Sequence, residues 1–156
     1  MRRVMFIAGL SVLALGSAAW ADDFRAYDVE IIQPWTRATA PGETTAMVFM
    51  KLDNTGGIAD RLLRASTPAA DGVELHGAVV TTDEIKMEAV KAIELPPGID
   101  VMLQPGGLHL MLTGLKGPLE KGTELPLTLT FERGGMVDIT AEVTDPGATE
   151  PPADDD

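Results

Sequence analysis

Four residues carry metal-binding atoms at a suggestive spacing: His76, Met87, His109 and Met111. Ten, 21 and one residues separate them in turn, and both histidines of the chain are included. Two imidazoles and two thioethers form a neutral donor set. Thioethers are soft ligands that suit Cu(I) and are poor ligands for Zn, Mg, Ca and Mn. The spacing and the donor types therefore predict a Cu(I) site.

The cysteine content narrows this chemistry. The chain contains no cysteine, whereas a blue-copper electron-transfer centre requires a cysteine thiolate. Outside the cytoplasm thiolates are at risk of forming disulfides, which histidine and methionine do not form, although methionine can be oxidised to the sulfoxide. Because imidazole must be neutral to bind a metal, affinity should fall below the ordinary histidine pKa of about 6.5. These features predict a protein that holds Cu(I) without using it for electron transfer.

The segment GLHLML predicts a β-strand with two different faces. His109 and Met111 are two residues apart, which on a strand puts both side chains on the same face. The leucines that alternate with them fall on the opposite face: Leu108, Leu110 and Leu112. We expect the leucines to join the core, and the histidine and methionine to lie outside it. All four donors should then cluster at one rim of a barrel.

The rest of the chain predicts further strands that position these donors. Short alternating or β-rich runs recur between turn residues such as those at 54–57, 96–98 and 105–107. Many short strands at regular spacing are typical of an all-β sandwich or barrel. The last two runs, in TELPLTLTFERGGMVDITAEV, predict a hairpin in which Gly134 and Gly135 supply the positive φ angles of the turn.

The first 21 residues predict a secretory signal peptide. Arg2 and Arg3 are followed by an apolar run over residues 4–15 and an A-x-A pattern that ends at Ala21, the expected cleavage site. The apolar run is short for a permanent membrane anchor. The arginine pair matches a twin-arginine signal weakly, so the plain secretory route is favoured. With no cysteine for a lipid anchor, we expect a soluble, periplasmic protein.

Charge and composition exclude some classes of partner and set the C-terminal boundary of the domain. Removing the signal peptide takes away two arginines and no acidic residue, so the net charge changes from −12 to −14. A charge this negative argues against nucleic acid and anionic membranes as partners. Residues 146–156 are acidic, rich in proline and free of bulky apolar side chains, which predicts a disordered tail. Residues 22–145 are then the metal-binding β domain.

Beyond the four donors, the chain resembles the periplasmic copper chaperones of the PCuAC family. The resemblance rests on the pattern H-x10-M-x21-H-x-M and on the segments PWTRAT, LDNTGGIADRLL, VELH and LPPGIDVMLQPGGLHLMLTGLKGPLEKGTELPLTLTF, and covers roughly residues 28–144. It implies a single-domain, cupredoxin-like Greek-key β-barrel that binds Cu(I) through His76, Met87, His109 and Met111. It also implies delivery toward the CuA centre of cytochrome c oxidase, with cytochrome c oxidase subunit II or a Sco-like protein receiving the copper.

The sequence departs from this family in two places. Many members carry a methionine directly after the first histidine, where this chain has Gly77. Some members carry a long Met- and His-rich C-terminal extension, whereas the tail here is acidic. These departures argue against an auxiliary ligand at position 77 and against a tail-borne Cu(II) site, and leave the four-donor set intact.

Other residues near the donors have structural interpretations that we favour. Four further methionines are predicted to fill the core, a role suited to methionine: Met47, Met50, Met102 and Met136. The first two are three residues apart and cannot both face inward on a regular strand, and Met102 is the best candidate for an extra soft contact. Trp35 and Arg37 could frame a site, but a core aromatic beside an edge arginine is preferred. Glu74 and Asp83 are either outer partners of an imidazole or solvated charges.

Three functions remain open from the sequence. The first is a copper chaperone, the second is a periplasmic copper resistance or storage protein without an oxidase client, and the third is a metal-independent Ig-like interaction module. An enzyme is disfavoured, because no Ser-His-Asp or Cys-His order is visible and two thioethers disfavour the Cu(II) state that a copper oxidase must reach.

Overall fold

Residues 23–153 are described by the computed structural model, and within them the regular structure consists of strands without a helix. Consequently this part of the chain holds no helix long and apolar enough to cross a membrane. The predicted signal peptide, residues 1–21, lies outside the described residues. The strands are β1 Phe24–Ala26, β2 Val29–Arg37, β3 Thr45–Asn54, β4 Asp60–Ser66, β5 Ala70–Val80, β6 Ile85–Ala89, β7 Ile93–Leu95, β8 Asp100–Leu103, β9 His109–Leu115, β10 Glu124–Phe131 and β11 Gly135–Thr144.

The strands form one sheet in the order β6-β5-β9-β3-β2-β11-β10-β4-β7, with β1 added to β2 and β8 added to β3. Most neighbours are antiparallel, and the pairing of β11 with β2 is parallel. The long strand β3 is shared, because its first half pairs with β9 and its second half pairs with β8. The predicted all-β architecture is confirmed.

The core lies on one face of these strands, as the alternating sequence predicts. Leu110 and Leu112 of β9 are fully buried, and Leu108, just before the strand, is partly buried and packs against the core cluster. On β3, Val48 and Met50 are buried on the same side. The leucine face predicted for GLHLML is therefore a core face.

The predicted C-terminal hairpin is present as β10 and β11, which pair without interruption up to Phe131 and Gly135. Gly135 has a φ of 73° and supplies the left-handed turn conformation, but Gly134 does not have the predicted positive φ. Gly134 is needed for close approach instead, because a Cβ there would lie 2.9 Å from the carbonyl oxygen of Ala26. Its N–H donates to the buried carboxylate of Asp60 at 2.9 Å.

The four additional methionines divide between the two faces. Met50 is buried in the core, as predicted, whereas Met47, Met102 and Met136 are 37%, 44% and 75% exposed. The core prediction is wrong for these three, because each faces outward on its strand. Met102, for instance, pairs with the outward-facing Lys51. Strand alternation separates Met47 from Met50 as the three-residue spacing requires.

The described part of the predicted tail follows β11 without regular secondary structure. A hydrogen bond joins this segment to the sheet: Nε of Arg37 donates to the carbonyl oxygen of Ala148 at 2.6 Å. This contact attaches the beginning of the tail to the end of β2.

Candidate metal centre

The two histidines lie directly opposite each other on neighbouring strands. His76 of β5 pairs with His109 of β9, and their ring centroids are 5.3 Å apart with the planes inclined at 43°. Since histidine–metal bonds are about 2 Å long, this separation allows both imidazoles to bind one ion. Two histidines too far apart to share an ion would have excluded a common site, and His76 and His109 are close enough to share one.

His109 presents a nitrogen with an unused lone pair. Its Nδ1–H donates to the carbonyl oxygen of Gly107 at 2.8 Å, which places the lone pair on Nε2. Nε2 is buried and has no hydrogen-bond partner among the described residues, and His109 as a whole is only 6% exposed. The sequence did not predict this burial. An unpaired buried acceptor costs about 1–3 kcal/mol, and a metal ion bound at Nε2 would satisfy it.

The other imidazole is held by a carboxylate from its own strand. Nε2–H of His76 donates to Oε2 of Glu74 at 2.9 Å, so the Nδ1 lone pair of His76 remains for a metal. Carboxylate–histidine–metal arrangements of this kind fix the tautomer and orientation of the ring. Of the two interpretations left open for Glu74 and Asp83, the contact with an imidazole is found for Glu74, whereas Asp83 is an exposed residue between β5 and β6.

Both predicted methionines lie on the same face as the histidines. Met111 follows His109 by two residues on β9 and is partly buried. Met87 of β6 pairs with Ala78, two residues beyond His76 on the same face of β5, and is 40% exposed. Diagonal neighbours on antiparallel strands are within reach of long side chains. The structure thus brings all four predicted donors together on three adjacent strands, β9, β5 and β6.

Two aromatic side chains continue this surface beyond His109. Trp35 and Phe49 are buried but lie outside the main core cluster, with ring centroids 4.7 Å apart. The register that pairs Val48 with Leu110 places Phe49 beside His109. The guanidinium of Arg37 lies 5.6 Å from the centre of the Phe49 ring. Trp35 is therefore a packed aromatic, and Arg37 is the last residue of β2, in agreement with the favoured interpretation of these two residues.

A third thioether, that of Met47, lies beside this site, and the sequence favoured a different methionine for this position. Met47 of β3 lies directly opposite Met111. Met102, the residue preferred from sequence, pairs with Lys51, four residues further along β3, which corresponds to about 13 Å. The sequence feature that could have identified Met47 is its spacing of three residues from Met50. On a strand this spacing places the two side chains on opposite faces, so one of them had to lie on the outer face.

The donor types at this site are unusual for a hard or borderline metal. Within residues 23–153, no three His, Asp or Glu side chains come together in an arrangement that could hold an ion. The soft donors that the strands place beside the two imidazoles are the thioethers of Met87 and Met111, and a donor set of this kind would suit a soft metal such as Cu(I).

Position 77 is closed to an additional ligand. A Cβ at Gly77 would lie 3.0 Å from Cδ2 of Leu108 and 3.4 Å from Cγ1 of Val90, on the face opposite to His76. A side chain at this position would point away from the histidines, so the loss of the family's extra methionine leaves the donor set unchanged.

Comparison with known proteins decides the family. The model of the family described as "Putative lipoprotein LpqE-like" matches residues 29–143. This chain belongs to that family. The LpqE-like chain is also similar to solved PCuAC domains, so the resemblance to the PCuAC family drawn from the sequence is confirmed.

The relatives span most of the LpqE-like chain. The "Putative lipoprotein Lxx21020" of Leifsonia xyli subsp. xyli is 34% identical over 132 residues, which cover 84% of this chain and 78% of the relative. The copper-bound PCuAC domain from PmoF2 is 31% identical with a TM-score of 0.71, covering 80% of this chain and 99% of that domain. The solution structure of Cu(I)-DR1885 from Deinococcus radiodurans is 26% identical with a TM-score of 0.63, covering 82% and 84%. These matches confirm the cupredoxin-like fold of the LpqE-like chain.

Proposed function

We propose that this LpqE-like protein is an exported copper chaperone that binds one Cu(I) ion through His76, Met87, His109 and Met111. The observation that carries the proposal is the buried Nε2 of His109, which has no partner in the described part of the chain, together with the 5.3 Å between the ring centroids of His109 and His76. In each imidazole ring one nitrogen donates a hydrogen bond, to Glu74 from His76 and to Gly107 from His109. The other nitrogen of each ring then carries the lone pair that a metal requires.

The chemistry of the donor set supports copper over other metals. Two neutral imidazoles and two thioethers leave the single positive charge of Cu(I) uncompensated but satisfy its preference for soft ligands. Copper-bound structures among the relatives, the PCuAC domain of PmoF2 and Cu(I)-DR1885, support the same cargo. No catalytic step is proposed: the protein's residues bind and orient the ion and limit its access to water.

Delivery of the ion to another protein is supported by the exposure of the site. Met87 is 40% exposed on β6, and Met111 is only partly buried, so a partner can approach two of the four donors. We propose cytochrome c oxidase subunit II, at its CuA centre, or a Sco-like protein as the receiving partner. The signal-like N-terminus and the lipoprotein names of relatives support export to the periplasm, with cleavage after Ala21.

Anaerobic titration with Cu(I) tests the binding step. We expect wild-type protein to compete with a chromophoric Cu(I) chelator and to bind one ion, and the variant His109→Ala/Met111→Ala to lose this binding. Met136→Leu is the matched control, because Met136 is 75% exposed at the far hairpin and should bind copper like the wild type. A wild-type protein that fails to compete would refute the proposal and favour a metal-independent interaction module.

Transfer tests the chaperone step separately. Copper-loaded protein is mixed with the copper-free CuA domain of oxidase subunit II, or with a Sco-like protein, and the partners are separated before copper is measured. Copper that moves to the acceptor supports delivery. Tight binding without movement to either acceptor would instead assign the protein to copper storage or resistance.

A further inference from the structure

We propose that Met47 supplies an additional thioether for Cu(I), one that can take the place of Met111 in binding the ion. This inference rests on the proposed function and describes how ligand exchange at the same site could release Cu(I). It is carried by the direct pairing of Met47 with Met111 across β3 and β9.

The register fixes which way Met47 points. Its neighbours Ala46 and Val48 are buried in the core at 8% and 0% exposure, whereas Met47 is 37% exposed, so its side chain lies on the outer face with Met111. Directly opposite residues on antiparallel strands have Cβ atoms about 4.5–5.5 Å apart. A methionine side chain is unbranched and rotates about three bonds, so its sulfur can reach the space used by a facing methionine.

The surroundings of Met111 leave the β3 side for this exchange. On the β5 side Met111 faces Glu74, whose carboxylate is engaged by His76. Further along the outer face of β3, Phe49 is fully buried against Trp35 and offers no donor atom. Met47 is the soft side chain that β3 places next to the ion, and it is partly open to solvent.

The exchange needs no change in oxidation state. A bond from the sulfur of Met47 to Cu(I) forms as the bond from the sulfur of Met111 breaks, and copper remains Cu(I) with the same number of protein ligands. Such a step lets the ion move from β9 toward the partly exposed Met47 on β3 while the two imidazoles still hold it. A partner can then replace ligands one at a time.

A double-mutant cycle tests the inference, using Met47→Leu, Met111→Leu and the combined variant. Leucine preserves apolar volume at each position, so packing changes little. If each methionine substitutes for the other, loss of both weakens Cu(I) affinity by about tenfold more than the two single losses combined, within the range found for residues in contact. Affinity is measured anaerobically by competition with bathocuproine disulfonate. Met102→Leu is the matched control, since it removes a similarly exposed thioether from the same face and should have no effect.

A second readout separates ligation from packing. With methionine labelled by 13C at the ε-methyl group, addition of Cu(I) should shift the signal of Met47 in the wild type and shift it further in Met111→Leu, while Met136 does not move. Additive losses in the cycle together with an unshifted Met47 signal would overturn the inference while leaving copper binding intact. A wild type that binds no Cu(I) would overturn the proposed function as well, so the two failures are distinguishable.

Discussion

Replacing His109 by leucine tests whether Nε2 of His109, which would bind copper, lowers the free energy of unfolding when no copper is bound. Within residues 23–153, Nε2 of His109 is buried and no hydrogen-bond partner reaches it. Leucine fills a similar space in a residue that is 6% exposed and brings no polar atom. The variant His109→Leu should therefore be more stable than the wild type without copper and should lose copper binding.

The expected size of the effect follows from two contributions. Removing an unpaired buried acceptor recovers about 1–3 kcal/mol, and losing the Nδ1–H bond to Gly107 costs about 0.5–1.5 kcal/mol. The carbonyl of Gly107 belongs to a partly exposed residue, so water can replace the lost donor. The net change is a gain of about 1 kcal/mol in the free energy of unfolding, or about 3 °C in Tm for a domain of this size.

Copper should reverse the order of stability. Ligand bound to the folded state adds about 4 kcal/mol when its free concentration is a thousand times Kd, and this gain is available to the wild type but not to His109→Leu. The assay is urea unfolding under anaerobic conditions, with and without buffered Cu(I). His76→Leu is the control: its Nε2 already has Glu74 as a partner, so this variant should lose copper binding without gaining stability.

Two results would refute this reasoning. One is a copper-free His109→Leu protein that is less stable than the wild type by 1 kcal/mol or more, which by the same accounting would mean that Nε2 is satisfied in the folded protein. The other is a variant that is still stabilised by Cu(I) as strongly as the wild type, which would place the ion elsewhere.

Three further predictions concern residues around the site and the fold that supports it. Glu74→Gln keeps an acceptor for His76 but removes the charge, so chelator competition should find Cu(I) affinity about tenfold weaker; unchanged affinity would argue against a role in orienting the ring. Gly77→Met should lower the free energy of unfolding in urea by about 1–3 kcal/mol through overpacking, with Cu(I) affinity no higher than that of the wild type; tighter Cu(I) binding would contradict the orientation of this position. Asp60→Ala removes the acceptor for Gly134 and its neighbour in the β10–β11 turn and should cost about 3 kcal/mol in the same assay; a loss below about 1 kcal/mol would show that the turn closes without it.

The features that the sequence could predict depend on local periodicity. Alternation along a strand requires only neighbours in the chain, so the leucine face of β9 and the shared face of His109 and Met111 could be derived from six residues. The spacing of the four donors could be recognised as a pattern, although the sequence contains no direct information on the distance between His76 and His109. The 5.3 Å separation of their rings is set by the register of β5 against β9.

The features that could not be predicted depend on pairing between distant parts of the chain. Met47 lies opposite Met111 because β3 is hydrogen-bonded to β9. No local sequence pattern predicts the register of these two strands. The choice of Met102 over Met47 failed for this reason, since closeness in sequence to His109 was taken as closeness in space. The separate Trp35–Phe49 pair was likewise hidden, because an apolar residue on the outer face has the same sequence signature as one in the core.

The position of Met87 has a kinetic consequence. It is the one proposed ligand carried by β6, which lies at the end of the strand order and is exposed along its whole length. The other three ligands are on β5 and β9, each with a neighbouring strand on both sides. A bound ion would therefore link this edge strand to the interior of the sheet, and every opening of the β5–β6 hairpin would detach one of the four proposed ligands. A variant that opens β6 more often should therefore show faster amide hydrogen exchange in β6 and a shorter copper residence time.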